Sequence, residues 1–500
     1  MNMNQVFNPY LPGCEYVPDG EPHVFGDRLY LFGSHDAFGG VRFCPNDYVL
    51  WSTPTTDLAD WRCDGVIYRA DQDPRNPDGR LCLYAPDVVM GPDGRYYLYY
   101  TLEDLGVMSV AVSDKPDGQY KYYGDVRMSD GRVIGEREGD PYQFDPGLLA
   151  DDDGRIWLYS GFGIGEGSEP YFHGLKAYGM YVMQLAPDML TVMGEPKLLL
   201  PSNIQKSKTC HGFFEASSIR KIEDLYYLIY SSGLSHELCY MTSKYPDRDF
   251  EYGGTLISIG DIGLNGRKAE HTLDHLGNTH GSIVEVNGQW YVFYHRQTNR
   301  SDYSRQGCAE KISIASDGSI AQAERTSCGL NPGPLTGSGI YPAHIACALF
   351  SEGHEKYHNG KEYSLDTRPF LTQDKLDRPL ETSSSILLPE QYITNWRSGG
   401  VIGYKYFQLD APVRIAVEAQ GSGRGFVEVF SGLDEEDRLI GLIASIPILP
   451  TEDRCWHTGE VTANARGTQP LYFRYTGEGS LNFYRFSIEG DKNEQTAASR

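Results

Sequence analysis

Residues 212–233 read GFFEASSIRKIEDLYYLIYSSG, and this stretch contains the unit from which most of the chain is built. Its pattern predicts a β-hairpin with a first strand at about 215–222, a turn at 223–224 and a second strand at 226–230. A carboxylate, Glu215, stands at the head of the first strand. The same arrangement recurs in the first 300 residues.

Each recurrence ends in an aromatic-rich strand directly after a turn. The five stretches are DRLYLFG (27–33), GRYYLYY (94–100), GRIWLYS (154–160), DLYYLIY (224–230) and GQWYVFY (288–294). Their turns contain Gly or Asp, which tolerate hairpin backbone angles, and their strands are rich in the residues that suit pleated surfaces. The turns are 60 to 70 residues apart. This period, without a long amphipathic helix, predicts an all-β chain with a five-bladed β-propeller.

A polar residue stands six to nine positions before each turn and opens an apolar strand. These residues are Glu21 (GEPHVF), Asp87 (APDVVM), Asp145 (FDPGLL), Glu215 (FFEASS) and His280 (THGSIV). The first strand of a propeller blade lies nearest the axis, so the five are predicted to form a ring at one mouth of the central channel. The plainer alternative is that they are strand-start residues in Asx-type turns, but turn chemistry does not require the same position in every repeat.

A ring of carboxylates at a channel mouth suits glycoside hydrolysis. Such a reaction needs one carboxylic acid to protonate the leaving oxygen and one carboxylate to act as base or nucleophile. A third carboxylate can orient the sugar and raise the pKa of the acid, because nearby negative charge disfavours ionisation.

Length and composition predict more than one domain and argue against some classes of binding partner. Five hundred residues exceed one ordinary domain, and the net charge of −24 argues against nucleic acid and anionic membranes as partners. The first residues show no signal-peptide pattern, and the ten cysteines include no CxxC pair, which together predict a cytoplasmic protein.

The chain divides into three predicted parts. The propeller is expected at 1–325, a connector rich in Gly, Pro, Ser and Asp at 326–385, and a β-sandwich at 386–490. The sandwich is predicted from short strands with regularly spaced turn signals, such as VRIAVEAQ and LNFYRFSIEG.

Four further polar residues are candidates for substrate contact. Asp36, in a loop after the first hairpin, either lines the mouth or belongs to a polar turn. His211 precedes Glu215 closely and either contacts substrate or lies in a loop without a ligand. Arg296 and Arg305 follow the fifth hairpin, where they either bind sugar hydroxyls, hold a carboxylate in place, or are solvated charges.

These motifs resemble glycoside hydrolase family 43 over roughly residues 8–325. The resemblance is carried by an acidic residue before Pro in the first repeat, by FDP in the third, by a Glu at the head of the fourth inner strand, and by HGSIVEVNGQWYVFYH. It implies a five-bladed propeller and an inverting enzyme acting on α-L-arabinofuranosyl or β-D-xylosyl linkages. The ending PLYFRYTGEGSLNFYRFSIEG is similar to family 6-type carbohydrate-binding modules.

The resemblance also implies roles for the acidic residues. Glu215 would be the general acid, and Asp145 would raise its pKa and orient it. The base is normally an Asp directly before Pro in the first repeat, and here Glu21 holds that position. Glu21 is therefore the expected base, with Asp36 and Asp19 as alternatives.

The remaining ring members receive supporting roles from the same resemblance. His280 resembles an axial histidine that often lies by a calcium ion in the channel, and Asp87 would contact substrate or support the ring. The leading hypothesis is an exo-acting glycosidase that releases terminal arabinofuranosyl or xylosyl units from imported oligosaccharides. The alternatives are a carbohydrate-binding propeller without hydrolysis, suggested by Glu in place of Asp, and a protein-interaction propeller.

Overall fold

The computed structural model of the protein describes six ranges of the chain: 5–203, 211–352, 367–375, 388–409, 413–461 and 465–490. Strands dominate all of them, and the six 3-10 helices have three residues each. These helices are Ala70–Gln72, Glu169–Tyr171, Ile259–Asp261, Leu264–Gly266, Ala269–His271 and Ala343–Ile345. No helix in the described ranges is long and apolar enough to cross a membrane.

Five antiparallel sheets follow one another along the first 312 residues, and in each one the strands pair in chain order. Their strands are β1 (Glu21–Phe25), β2 (Arg28–Phe32), β3 (Tyr48–Pro54), β4 (Arg62–Tyr68); β5 (Asp87–Met90), β6 (Tyr96–Thr101), β7 (Met108–Ser113), β8 (Lys121–Asp125); β9 (Gly147–Ala150), β10 (Ile156–Gly163), β11 (Tyr178–Leu185), β12 (Lys197–Pro201); β13 (Phe213–Ile222), β14 (Leu225–Ser232), β15 (Glu237–Ser243), β16 (Glu251–Ser258); β17 (Ile283–Val286), β18 (Gln289–Thr298), β19 (Ser301–Ile312). The fifth sheet has three described strands and the others have four.

The first strands of the five sheets surround one axis. Strand β1 packs against both β5 and β17, and β9 packs against β5 and β13. A parallel bridge between Gly20 and Gly281 joins the first sheet to the fifth and closes the ring. The predicted all-β, five-bladed propeller is therefore confirmed.

Local sequence explains why the inner hairpins form where they do. Asn287 and Gly288 have φ angles of 51° and 82°, the positive pair that a two-residue hairpin turn requires and that Asn-Gly favours. The strands that follow the turns bury their aromatic and aliphatic side chains between adjacent blades, as Tyr99 and Leu158 do. The aromatic residues therefore recur in the sequence because each blade packs them against its neighbour.

A β-sandwich of one mixed and one antiparallel sheet follows the propeller. One sheet contains β20 (Leu335–Thr336), β22 (Ala348–Ser351), β25 (Gly400–Leu409), β27 (Arg424–Leu433), β28 (Leu439–Ile448), β30 (Glu460–Val461) and β31 (Gly467–Glu478). The other contains β21 (Gly339–Pro342), β23 (Phe370–Gln373), β24 (Gln391–Trp396), β26 (Val413–Gly421), β29 (Thr451–Thr458) and β32 (Leu481–Gly490). One continuous apolar core that includes Trp396, Phe473 and Phe486 lies between them.

The prediction of a connector at 326–385 is wrong for its described part. Strands β20 to β23 lie within this range and pair with β25, β24 and β32 of the sandwich. The sequence pattern missed them because each has only two to four residues, too few for an alternation to be visible. Positions 353–366 and 376–385 of the predicted connector lie outside the described residues.

Buried polar contacts fasten the sandwich to the propeller. The Arg296 guanidinium, on β18, donates to the carbonyl oxygens of Ala346 and His344, at 2.7 and 2.8 Å. Lys405, on β25, forms a 2.7 Å ion pair with Asp261 of the propeller. Arg296 and Lys405 are each only 2% exposed, so both depend on these partners for the solvation they lose.

Candidate active site

A cavity of about 940 Å³ opens at one end of the propeller axis. Its polar lining includes Asp19, Asp145, Glu215, His280 and Arg305. These three carboxylates, this imidazole and this guanidinium therefore share a single cavity. Four of the five residues are predicted from the sequence as site residues, and Asp19 is predicted as an alternative base.

Two of the carboxylates reach the cavity through the same backbone conformation. Asp19 lies two residues before β1, and Asp145 lies two residues before β9. Both have positive φ angles, 56° and 44°, which are uncommon for residues other than Gly. The two side chains therefore project from equivalent turns, each two residues before an inner strand begins.

A β-bulge aims the third carboxylate. The pairing of β13 with β14 shifts register on both sides of Glu215, and Ala216 next to it has a φ of 66°. Bulges bend a strand and re-aim a side chain, and they are common beside active sites. Glu215 thus turns into the cavity although it lies within a strand.

Asp19 is held as an ionised carboxylate. Burial raises the pKa of Asp19, but the groups around the carboxylate, foremost the Arg305 guanidinium 2.8 Å from Oδ1, together lower it to about 2. Arg305 is in turn fixed by Asp36, which accepts hydrogen bonds of 2.8 and 3.0 Å from its Nε and Nη2. Asp36 is 1% exposed and does not line the cavity, so its place is behind Arg305.

His295 fixes the backbone of Asp19. The Asp19 N–H donates to His295 Nδ1 at 3.3 Å, and His295 Nε2–H donates to the carbonyl of Asn278 at 2.9 Å. These two bonds together require the neutral Nε2–H tautomer. Burial, assisted by the charge of Arg305, lowers the pKa of His295 to about 3, in agreement with the neutral form.

Glu215 and Asp145 form a pair that favours holding a proton. Burial, together with the charge of Asp19, raises the pKa of Glu215 to about 7. Burial and the charge of Glu215 also raise the pKa of Asp145. Asp145 Oδ2 accepts the backbone N–H of Ala216 at 3.0 Å, which favours its ionised form. The pair therefore favours holding one proton near neutral pH.

His280 lies beside the carboxylates but is uncharged near neutral pH. Its Nδ1 is 3.6 Å from Asp145 Oδ2 and 3.9 Å from Asp19 Oδ1. Burial lowers the pKa of His280 to about 4. Its Nε2 is buried and has no hydrogen-bond partner in the described part of the chain.

Glu21 and Asp87 lie outside the cavity, contrary to the predicted ring. Glu21 Oε2 is 2.8 Å from Arg220 Nη2, and Asp87 bonds to His23 Nε2 and to the N–H of Leu148, each at 2.7 Å. Each is the first residue of its inner strand, whereas Asp19 and Asp145 stand two residues before the first residues of theirs. The expectation of Glu21 as base and of Asp87 as a substrate contact is therefore at odds with the structure, whereas the bonds to His23 and Leu148, on the two neighbouring inner strands, agree with the alternative that Asp87 supports the ring.

The remaining candidates divide between cavity and interface. His211 lines the cavity and its side chain is 43% exposed. Arg305 lines it too, and holds a carboxylate, as one of the sequence alternatives proposed. Arg296 does not, because its guanidinium binds carbonyl oxygens of the sandwich. The prediction of Arg296 as a substrate contact is therefore contradicted.

The aromatic wall of the cavity is not among the residues predicted from the sequence. The aromatic residues that line it are Phe43, Tyr84, Phe144, Phe162 and Phe214. Phe144 and Phe214 directly precede Asp145 and Glu215, so their positions were available as a signal. Apolar walls with a few convergent polar groups are typical of small-molecule sites.

Comparison with known proteins identifies the family. Residues 8–320 match the family described as Glycosyl hydrolases family 43. A xylosidase/arabinosidase of Thermoclostridium stercorarium is 46% identical over 492 residues, which cover 97% of this chain and 99% of that protein. Xylosidase/arabinosidase 43A of Humicola insolens is 30% identical over 343 residues, covering 61% of this chain and 96% of that protein.

Solved structures agree at the level of the fold. The crystal structure of a family 43 arabinoxylan arabinofuranohydrolase from Bacillus subtilis, in complex with cellotetraose, covers 96% of both chains with a TM-score of 0.50, and its 19% identity bears on the fold alone. A GH43_1 enzyme from Xanthomonas citri, complexed with xylotriose, covers 66% of this chain and 96% of that chain, with a TM-score of 0.51 and 25% identity. The chain therefore belongs to glycoside hydrolase family 43, and it is a glycosidase.

Proposed function

We propose that the protein is an inverting, exo-acting glycosidase that removes terminal α-L-arabinofuranosyl or β-D-xylosyl residues from oligosaccharides. The observation that carries the mechanism is one cavity that contains both Glu215, whose pKa is raised to about 7, and Asp19, whose pKa is lowered to about 2. The sugar class is supported by the xylosidase/arabinosidase names of the relatives from Thermoclostridium stercorarium and Humicola insolens.

Glu215 is the general acid in this proposal. It donates its proton to the glycosidic oxygen while the bond from that oxygen to the anomeric carbon breaks. Asp145 is the third carboxylate, and its negative charge keeps the proton on Glu215 until transfer. The aromatic wall around them limits water, which strengthens these electrostatic effects.

Asp19 is the general base in place of Glu21. It removes a proton from the water that attacks the anomeric carbon, and the product sugar then has the inverted configuration. Arg305 keeps Asp19 ionised beside two other carboxylates, and His295 fixes the backbone that carries it. After turnover the proton on Asp19 returns to solvent and Glu215 is protonated again.

The test of this function is product analysis with purified protein. We expect free xylose or arabinose from 4-nitrophenyl β-D-xyloside, 4-nitrophenyl α-L-arabinofuranoside, xylobiose or arabino-oligosaccharides. Proton NMR during the first minutes should show the anomer opposite to that of the substrate. Release of no pentose from the whole panel would overturn the proposal.

A carbohydrate-binding propeller without hydrolysis is the second hypothesis from the sequence. The reason for it is that Glu21 replaces Asp at the expected base position. Under the proposal that Asp19, which lines the cavity, is the base, an aspartate holds that role and the reason for this hypothesis no longer applies. Whether the sandwich binds sugar, as its likeness to family 6-type modules implies, is a separate proposal that a glycan array on the whole protein tests.

The pH dependence of kcat/KM follows from the two carboxyl groups. Glu215, whose pKa is raised to about 7, must be protonated, so its active form is lost as pH rises through that value. Asp19, whose pKa is lowered to about 2, is already ionised at any pH above that. We expect a single alkaline limb above about pH 7, falling by about tenfold per pH unit. A profile that stays flat to pH 9 would contradict it.

Asp145→Asn provides the control for that profile. Removing a negative neighbour makes ionisation of Glu215 easier, so the alkaline limb should move to lower pH as the rate falls. An unmoved limb would show that Asp145 does not act on the acid through its charge.

We also propose that a calcium ion binds at His280. The neutral imidazole presents a buried Nε2 without a partner among the described residues, and because calcium prefers oxygen ligands, water molecules would supply the rest of the shell. The ion would add positive charge near the sugar. The expected result is a rise in Tm on adding calcium to chelator-treated protein, and no rise for His280→Ala. An equal rise in both proteins would place the ion elsewhere.

A further inference from the structure

We propose that His211 and Glu237 form the binding subsite for the sugar on the leaving-group side of the scissile bond, with His211 as the contact and Glu237 as its positioning residue. This inference rests on the proposed glycosidase function and adds where the substrate chain continues beyond the cleaved unit. The ligand class is a hydroxylated sugar ring, bound through its hydroxyl groups.

The location follows from the order of strands in the fourth blade. Glu215 lies on β13, the innermost strand, and Ser232 ends the next strand, β14. Glu237 begins β15, and Thr255 lies on β16 at the outer edge. His211, Glu237 and Thr255 all line the same cavity as Glu215. The cavity wall therefore continues outward along this blade from the acid.

This direction is the leaving-group side by the chemistry of the acid. A general acid lies next to the oxygen that departs, so the departing sugar lies beside Glu215. The base Asp19 comes from the first blade, and its water attacks from the opposite face of the cleaved sugar. A wall that begins at Glu215 and runs away from the axis thus faces the departing unit.

Glu237 is a buried carboxylate whose oxygens are occupied by neighbouring donors. Its side chain is 3% exposed, and Oε1 accepts from His211 Nδ1 at 2.6 Å and from the Ser232 hydroxyl at 2.6 Å. Thr255 Oγ1 donates to Oε2 at 3.1 Å, and the Cys239 thiol donates to Oε1 at 3.3 Å. Such a carboxylate has little capacity left for substrate and acts by orienting the imidazole.

His211 is the member of the pair that faces the cavity. Its side chain is 43% exposed, its ring stacks on Tyr252 at 5.5 Å, and the Tyr230 hydroxyl donates to its carbonyl oxygen at 2.9 Å. Because Nδ1 donates to Glu237, Nε2 is the ring nitrogen left for a sugar hydroxyl.

The charges of the pair agree with this arrangement. Burial would raise the pKa of Glu237, but its hydrogen bonds to His211 and Ser232 lower it to about 2. The hydrogen bond to Glu237 raises the pKa of His211. An ionised carboxylate behind an imidazole holds the Nδ1–H tautomer and strengthens the hydrogen bond that Nε2 makes to a sugar hydroxyl.

The experiment compares substrates that differ only on the leaving-group side. Steady-state kinetics of wild type, Glu237→Gln and His211→Asn are measured on xylobiose and on 4-nitrophenyl β-D-xyloside. A nitrophenyl group has no sugar hydroxyls, so it cannot use the proposed contact. We expect kcat/KM on xylobiose to fall by about 10- to 100-fold, largely through KM, and on the aryl xyloside by about threefold.

Two controls separate this subsite from other causes. Glu251→Gln makes the same chemical change at an exposed residue of the same blade and should leave the ratio of the two substrates unchanged. If Glu237→Gln does not fold, His211→Asn carries the test alone, since it leaves the buried carboxylate and its other donors in place.

Three results would overturn the proposal. Equal losses on both substrates would mean that the pair positions Glu215 and not the leaving group, while the glycosidase function stands. A wild type that cleaves neither substrate would remove the proposed function and this subsite together. A chelator-induced loss on xylobiose that spares the aryl xyloside, and that occurs in His280→Ala as well as in the wild type, would make His211, Glu237 and Cys239, whose ligand atoms lie within 4.8 Å of one another, a metal site.

Discussion

Replacing Glu215 with glutamine is expected to lower kcat on xylobiose by about a hundred- to ten-thousand-fold, the usual contribution of a general acid. Glutamine keeps the shape of the side chain but has no proton to give to the leaving oxygen. The same variant should lose the alkaline limb near pH 7, because the group responsible for it is gone. Both quantities come from steady-state kinetics between pH 4 and 9.

The leaving group provides the internal control for Glu215. A 2,4-dinitrophenyl glycoside departs without protonation, so Glu215→Gln should cleave it far better, relative to wild type, than it cleaves xylobiose. If the variant loses equally on both substrates, Glu215 does not act as the acid. Glu251→Gln, an exposed change on the same blade, should behave as wild type on both.

Replacing Asp19 with asparagine is the second change with a large expected effect. The loss in kcat should again be about a hundred- to ten-thousand-fold on every substrate, including the dinitrophenyl glycoside, because water activation does not depend on the leaving group. Glu21→Gln should leave kcat close to that of wild type and lower Tm, since it weakens a buried ion pair with Arg220 away from the cavity.

Azide gives an independent readout for the base. A small anionic nucleophile needs no deprotonation, so sodium azide should restore turnover in Asp19→Ala and give a glycosyl azide of inverted configuration. If Glu21→Gln is the inactive variant and Asp19→Asn is active, the sequence-based assignment was right and the structural one is wrong. If both are inactive, the position whose variant regains turnover with azide is the base.

The fold was predictable because its signal is local and repeated. Each inner hairpin carries its own turn residues and its own aromatic strand, so five separate stretches gave the same answer. The positions of Asp145, Glu215 and His280 followed because they lie close to those strands. Their placement in one cavity needed only the rule that first strands surround the axis.

The same local patterns could not decide whether Asp19 or Glu21 is the base. Residues two apart point to the same side of a strand, so alternation gives both the same prediction. What separates them is the left-handed turn at Asp19, outside the strand, and the Arg220 side chain that reaches Glu21 from the fourth blade. The second of these is a contact between residues 199 positions apart, which no local pattern reports.

The hairpin of β18 and β19 serves two parts of the molecule at once. Arg296 and Gln297 lie opposite Gln306 and Arg305, so the two arginines project to different faces of the same ribbon. One face presents Arg305 to Asp19, the proposed base, and the other contacts the sandwich through Arg296. We therefore expect that the sandwich cannot be exchanged as a separate domain, because its removal would disturb the ribbon that carries Arg305. A chimeric enzyme should keep the propeller and the sandwich together.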